Sequence, residues 1–483
     1  MTIPATTYVP GPYVDFATPQ PAAAVEVLPQ SVLLIGQMLS TGTATAGLVR
    51  RVTSADEVAV LCGRGSMLHE MSRHAYGTVP SGLDVYILPL GDASGATASE
   101  TDIAFSGAST EAGELALYIA GARYSVPVAD GDVPSDVAAA AVAAVNADPN
   151  ALVSASAAAG VVTLTARNKG VAAGRLPVII NRYVGEDVPA GITVAIGART
   201  EGTVDPDLTS ALAGLGPKHY PTMVSPYTGG ANLAAMRAAV DERWGPTVQL
   251  DSAVFAALRL ADAQAMSAAA AAQNYPYLIM LDARNSWSAD YAIAVPAAML
   301  WAVEPDVGRP IQDLPLPTLL SVAEPDALSW NERNTLISAG ISSTKVDAGG
   351  VVRVERLTTT YRLNGYGTRD DSYFDAETVA LLQNERYSLR ARFAAKYPRH
   401  KLGQDGSIGA NVMTPTLAKS ELISLYLAWM DLGWVEGGTA LEQFKRDVVA
   451  NISLSDPSRL DVLLKPDEIS PFRVLAATIQ FQR

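Results

Sequence analysis

Apolar residues fall into short unbroken blocks separated by stretches with helical spacing. Val32-Leu33-Leu34-Ile35, ended by Gly36, is the first block, and Asp84-Val85-Tyr86-Ile87-Leu88 is the second. Met67 to Tyr76 between them reads as helix. Further blocks follow at Thr222-Met223-Val224, Tyr277-Leu278-Ile279-Met280-Leu281 and Thr318-Leu319-Leu320, with helical stretches at Ala231 to Trp244, Ala253 to Ala272, Ala289 to Trp301 and Ser329 to Ala339. Continuous apolar strands alternating with helices predict an α/β core: a buried, mostly parallel sheet covered on both faces.

That alternation breaks between about 96 and 202. Residues 115–120, 123–128, 161–166 and 192–196 read as short strands, and Asp136 to Asn146 as an Ala-rich helix with Ser135 as its N-cap. The expected unit is a compact α+β domain inserted at an exposed loop of the α/β domain. The organisation is then an N-terminal arm (1–29), a discontinuous core (30–95 and 203–348), the insert (96–202) and a C-terminal α+β domain (349–483).

In the last of these, Val351 to Leu363 is rich in β-branched residues and reads as a long strand. Asp375 to Tyr397, Leu417 to Asp431 and Thr439 to Asn451 read as helices, the first ended by Pro398. The chain closes on a clean alternation from Phe472 to Arg483. Leu475, Ala477, Ile479 and Phe481 share one face, and Val474, Ala476, Thr478 and Gln480 the other. Residues 1–29 hold six prolines and no helical period, which predicts an extended arm. Tyr13, Val14 and Phe16 give that arm apolar groups that a solvent linker would not need. At ~3.3 Å per residue, about twenty residues reach ~65 Å, far enough to touch another subunit.

The length of 483 residues implies two to four domains, and 49% hydrophobic residues suffice for their cores. The formal charge of −14 and the lack of a basic run disfavour direct nucleic-acid binding, which needs Lys and Arg to displace phosphate counterions. Cys62, the single cysteine, follows apolar Val58 to Leu61 and reads as a buried structural thiol, compatible with a reducing cytoplasm. The N-terminus lacks the pattern of a signal peptide, and the longest apolar run, Ala292 to Val303, is too short to span a bilayer. The expectation is a soluble protein without a direct membrane partner.

The residues offer little chemistry. His69 and His74 are separated by five positions, so their rings point ~140° apart on a helix and do not chelate zinc as an i, i+4 pair does. Gly63-Arg64-Gly65-Ser66-Met67-Leu68 begins like a dinucleotide fingerprint but has Leu at its sixth position, and reads better as a helix-initiating turn. Asp130-Gly131-Asp132 lacks the EF-hand spacing and reads as a solvated turn. Asp370-Asp371, beside Arg369, reads as capping and ion pairing. No Walker A or Gly-x-Ser-x-Gly motif is present. No catalytic, metal or cofactor residue is assigned. An alternative reading is a hydrolase on the same α/β core.

The two ends carry more information. A strand needs a partner for its backbone groups. Strand addition to a sheet in a neighbouring molecule can satisfy both ends, while composition alone favours both packing on their own subunit.

Several stretches, in order along the chain, resemble the contractile tail sheath family, above all its Mu-like branch. They are Val9 to Phe16 with Pro10, Gly11, Tyr13 and Val14; Arg243 to Pro246; Pro305 to Pro310; Glu332 to Asn334 with Gly340-Ile341; Glu355 to Tyr361 followed by Asp371 to Tyr373; Tyr397 to Leu402; Asp461 to Pro466; and Phe472 to Phe481. The resemblance implies a doubly wound, subtilisin-like core without the protease triad, and a variable, outward-facing insert. It implies a homo-oligomer of six-fold rings stacked helically around a tail tube, with baseplate and tail terminator as further partners. The expected place is the virion tail, after assembly in the host bacterial cytoplasm. Strand exchange through the two ends makes Val9, Pro10, Gly11, Tyr13, Val14, Phe16, Val474, Leu475, Ala477, Ile479 and Phe481 the expected subunit-interface residues. The segments Pro19 to Pro29 and Pro466 to Pro471 are the expected hinges. Another tail or baseplate structural protein is the further alternative.

Overall fold

The computed structural model describes residues 25–481. They divide into two compact units. Residues 29–383 with the tail from Pro471 make up the larger, and residues 384–470 with the segment ending at Leu28 the smaller.

The larger unit opens with β1 (Ser31–Gln37), β2 (Arg50–Val52), α1 (Ala55–Cys62), α2 (Met67–Thr78) and β3 (Asp84–Leu90). An insert follows, with β4 (Glu100–Gly107), β5 (Gly113–Ile119), β6 (Ala122–Val128), α3 (Pro134–Ala147), β7 (Val153–Ala158), β8 (Val161–Ala166), β9 (Val178–Ile180) and β10 (Ile192–Ile196). The chain returns through α4 (Thr209–Ala213), β11 (Thr222–Val224), α5 (Gly230–Trp244), β12 (Ala253–Leu258), α6 (Ala263–Gln273), β13 (Leu278–Asp282) and α7 (Asp290–Val303). Then come α8 (Trp330–Ser338) and the hairpin β14 (Ser343–Val346) and β15 (Val352–Arg356). The division between the units falls inside α9 (Ala376–Lys396).

The core sheet has the order β13-β12-β11-β1-β3-β2, parallel except for the edge strand β2. All seven residues of β1, six of β12 and five of β13 are buried, which is why they read as unbroken apolar runs and not as alternation. Helices α2 and α7 pack on the sheet and on each other. Strand order advances one way from β1 to β3 and the other way from β1 through β11 and β12 to β13. Right-handed crossovers therefore place α5 and α6 on the face opposite α1 and α2.

Two predicted elements of this unit change character. Ala253 to Ala272 is not one helix: Ala253-Val254-Phe255-Ala256-Ala257-Leu258 is the interior strand β12, and Asp262 then caps α6 through its side chain. Thr318-Leu319-Leu320 forms no strand, and only a single bridge, Ser286 to Ser321, forms beside it.

The insert is built from two antiparallel sheets, β10-β4-β8-β7 and β6-β5-β9, with α3 packed on β6 and β7 through Val137, Ala138, Ala141 and Val145. Its helix starts at Pro134, one residue before the expected cap Ser135, because proline suits a first turn whose N–H groups lack intrahelical partners.

The strand expected over Val351 to Leu363 is β15 alone. Beyond Arg356 the chain turns to the edge of the core sheet, where Thr360 N donates to Leu278 O at 2.9 Å and Ile279 bridges Thr359. These contacts join residues 349–383 to the larger unit, so the division falls at Asn384 and not at the Gly349-Gly350 pair.

The smaller unit holds β16 (Lys401–Leu402), β17 (Val412–Met413), α10 (Pro415–Asp431), α11 (Thr439–Asp447), β18 (Val449–Ile452) and β19 (Leu460–Leu463). The last predicted helix thus ends at Asp447, and the residues after it form a hairpin strand. Trp429, Trp434, Tyr426 and Phe444 are buried, with Tyr426 and Phe444 stacked at 4.2 Å. Trp429 Nε1 donates to Ser388 Oγ at 2.9 Å. Near the end of the unit, Glu436 N donates to Asp467 O at 2.8 Å and Ile469 N to Trp434 O at 3.0 Å.

Candidate subunit interface

In an open α/β sheet, ligand crevices form beyond the carboxyl ends of the strands where the strand order reverses. Here that point lies beside β1, and residues of the insert fill it. Gln37 Nε2 donates to Asp92 Oδ1 at 2.6 Å and to the Lys169 carbonyl at 2.7 Å. Asn168 Nδ2 donates to the Met38 carbonyl and to Asp92 Oδ1, both at 3.1 Å. Its Oδ1 accepts from Met67 N at 2.9 Å. The first turn of α2, where a phosphate would sit on free N–H groups, is thus bonded to a neutral amide, and Ser66 Oγ accepts from His69 N at 3.1 Å. Gly65, at φ +75°, permits this approach, since a Cβ there would stand 2.3 Å from the Ala151 carbonyl. Beside it, Arg175 Nη1 donates to Thr228 Oγ1 at 2.8 Å.

Three histidines have defined partners. His69 Nδ1 accepts from Gly65 N at 3.2 Å, and burial lowers its pKa. His74 Nδ1 meets Thr318 Oγ1 at 2.8 Å and its Nε2 stands 3.3 Å from Glu70. His219 Nε2 meets the Asp251 carbonyl at 2.7 Å. Burial acts to raise the Glu70 carboxyl, but His74 and Arg73 outweigh it and hold it down to about 2. Among the described residues, no group of three or more His, Cys, Asp and Glu is arranged to hold a metal ion. Asp132 accepts from Ala129 N at 2.7 Å and closes its own turn. Asp371 pairs with Arg362 at 2.9 Å, and Asp370 accepts from Tyr361 Oη at 2.8 Å.

Several motif residues tie the core together. Arg243 Nη2 donates to the Lys218 carbonyl at 2.6 Å, while Trp244 Nε1 donates to the Ser252 carbonyl at 2.9 Å and its ring stacks on Tyr277 at 4.0 Å. Arg333 Nε meets both oxygens of Glu355, at 3.1 and 2.9 Å. Arg356 forms a fork with Asp375, both bonds at 2.9 Å.

Val9, Pro10, Gly11, Tyr13, Val14 and Phe16 lie outside the described residues. The five C-terminal candidates fall on one extended segment. From Pro471 to Phe481 no ladder pairing with the other described residues occurs. Val474, Leu475, Ile479 and Phe481 are 78–89% exposed, and Ala477 is exposed as well. Among the described residues, the alternation therefore builds no sheet. A run of bare apolar side chains and free backbone groups is a ready template for pairing with another molecule.

One tail residue behaves differently, and sequence reasoning missed it. The Arg473 side chain is only 9% exposed. Its guanidinium reaches Glu377 Oε2 at 2.8 Å, Asp375 Oδ1 at 3.2 Å and Gln312 Oε1 at 3.2 Å. Glu377 Oε1 accepts from Ile311 N at 2.8 Å. Burial pushes the Glu377 carboxyl up, against the pull of Arg473.

Family models for the phage tail sheath protein central domain and the phage tail sheath C-terminal domain match residues 201–360 and 368–482. The Mu-like prophage FluMu tail sheath protein of Haemophilus influenzae is 33% identical over 487 residues, covering 99% of this chain and 98% of that one. Similar solved chains come from the anti-feeding prophage baseplate in its contracted state, with TM-score 0.51 and 9% identity, and from the six-fold symmetrised baseplate, with TM-score 0.50 and 11% identity. Each alignment covers 99% of this chain and 100% of the other. Those two likenesses speak to the mixed α/β multidomain fold. With a relative of this identity matched end to end, and both sheath domains recognised in order, the chain belongs to the phage tail sheath family and is a structural protein, not an enzyme.

Proposed function

We propose that the chain polymerises helically around a tail tube, in stacked six-membered rings, and that contraction of this array drives the tube through the host envelope. Its partners are further copies of itself, the tube protein, the baseplate and the tail terminator. It acts in the virion tail after assembly in the host bacterial cytoplasm, on a subtilisin-like core that has lost the protease triad.

One observation carries the reading: the exposed apolar segment Val474 to Phe481, which forms no ladder with the other described residues. Added as a strand to a neighbour's sheet, it gains main-chain hydrogen bonds for affinity, and alternate side chains for specificity. The arm carrying Val9, Pro10, Gly11, Tyr13, Val14 and Phe16 is the second donor. Contacts of this kind are head-to-tail, and repetition with rotation and rise gives a helical array and no closed dimer. Contraction is then a shift between two packings of rigid subunits, the extended one metastable, with the donated strands still paired.

Deletion of residues 474–483, and separately of residues 1–20, tests this. Negative-stain microscopy is expected to show striated sleeves from the full chain, and folded single subunits by circular dichroism from either truncation. Normal sleeves from the truncated proteins would overturn strand donation.

A further inference from the structure

The donated tail needs a fixed origin, and the buried contacts of Arg473 supply a candidate. Its neighbours Phe472 and Val474 are 75% and 78% exposed, so this residue alone is drawn into the protein. The pocket it enters is built from distant parts of the larger unit: Asp375 before the first turn of α9, Glu377 within that turn, and Gln312 of the loop between α7 and α8. Asp375 also takes both bonds of Arg356. Among the described residues, Glu377 has no such second cation: beside the backbone N–H groups of Ile311 and of Glu377 itself, its buried carboxylate meets Arg473. A carboxylate removed from water is costly unless paired, so the socket is complete only when the tail's guanidinium occupies it. Arginine suits the task, since its planar fork reaches several acceptors at once, where an ammonium acts as a point charge.

We infer that Arg473 is a positioning residue that anchors the root of the C-terminal tail in the Asp375–Glu377 socket, so that Val474 to Phe481 is the donated strand and starts from the α/β unit. This rests on the strand-donation reading above. Under it, the segment Pro466 to Pro471 links two units of one chain, and the tail moves with the larger of them. Anchoring limits the volume searched by the free strand and raises its effective concentration at a neighbour's edge.

The test compares the full chain with Arg473→Ala, Arg473→Lys, Glu377→Gln and the 474–483 deletion. A nitroxide at Leu475→Cys reports tail mobility below the assembly concentration, and sedimentation with microscopy reports assembly. The expected result is a sharpened, mobile spectrum and at least a tenfold rise in the concentration needed for sleeves in Arg473→Ala. Glu377→Gln gives the same direction, and Arg473→Lys a partial return toward the parent. Parent-like spectra and assembly in both Arg473→Ala and Glu377→Gln overturn the anchor. If the deletion also abolishes assembly in that case, strand donation survives without it. Sleeves from the deletion with mobile spectra in Arg473→Ala would instead retain the anchor and remove strand donation. Glu377→Gln leaves Arg473 in place, so the anchor remains testable if the alanine variant fails to fold.

Discussion

Asn168 of the insert holds the first residue of α2, its Oδ1 accepting from Met67 N at 2.9 Å across 101 positions of sequence. The same side chain bonds Met38 and Asp92 and is 4% exposed. The crevice that an α/β enzyme leaves open for substrate is here a joint between the core and its insert.

Asn168→Ala removes that joint and takes away the Asn168 partner of Met67 N–H and of the Met38 carbonyl, while Asp92 keeps its bond from Gln37. Each buried group so abandoned costs about 1–3 kcal/mol. A loss of about 2–4 kcal/mol is expected in urea unfolding of the full chain, together with faster proteolysis of the insert.

Tail substitutions should behave in the opposite manner. Ile479 is 89% exposed, so Ile479→Asp is expected to leave subunit stability within about 0.5 kcal/mol. Under strand donation it still abolishes sleeve formation, seen by sedimentation. Thermal melting alongside microscopy separates the two effects.

The smaller unit carries two acids with opposite pH behaviour. Burial acts to raise Glu421, but hydrogen bonds from Lys396, Tyr397 and Arg392 pull it down to about 2 from an ordinary 4.5. A depressed folded value gives stability that is present above about pH 4.5 and is lost as pH falls toward 2. Burial pushes Glu385 well above 4.5, and the nearby Glu468 adds to the rise. Its contribution to stability is present below pH 4.5 and is lost as pH rises through the folded value. Melting curves from pH 3 to 6 should therefore rise less steeply in Glu421→Gln, while Glu385→Gln should gain stability relative to the parent toward neutral pH.

Cys62 is fully buried, and burial pushes its thiol up to about 12. With so little thiolate, it is expected to react with a disulfide reagent only at the rate of unfolding. Immediate labelling of one thiol in the native protein would contradict this.

The core was readable where a strand is a short apolar run between polar turns, as at β1 and β3. Strand β12 escaped because its Ala-rich, period-free residues run almost directly into the Ala-rich α6, and such a run carries no signal separating strand from helix. Strand β4 escaped for another reason. Its sequence Glu-Thr-Asp-Ile-Ala-Phe-Ser-Gly is half polar, and only the tertiary pairing of Ile103 with Val162 marks it. At the candidate interface, the alternation of Leu475, Ala477, Ile479 and Phe481 was visible, whereas their exposure was not, since periodicity does not say which molecule supplies the partner. Arg473 was invisible for a plainer reason: Asp375 and Glu377 lie 98 and 96 positions away.

The bare tail also makes the newly made subunit hazardous to itself. Val474 to Phe481 contains no charge, no proline and no glycine, which is the composition of segments that stack into fibrils. An arginine follows it at position 483, where a charge acts as a gatekeeper against runaway stacking, whereas the charge of Arg473 before it is taken up by Asp375 and Glu377. A protein that leaves such a strand uncovered has a storage problem to solve, and under the proposed helical assembly quick consumption of free subunits by a growing array would keep the dangerous species scarce.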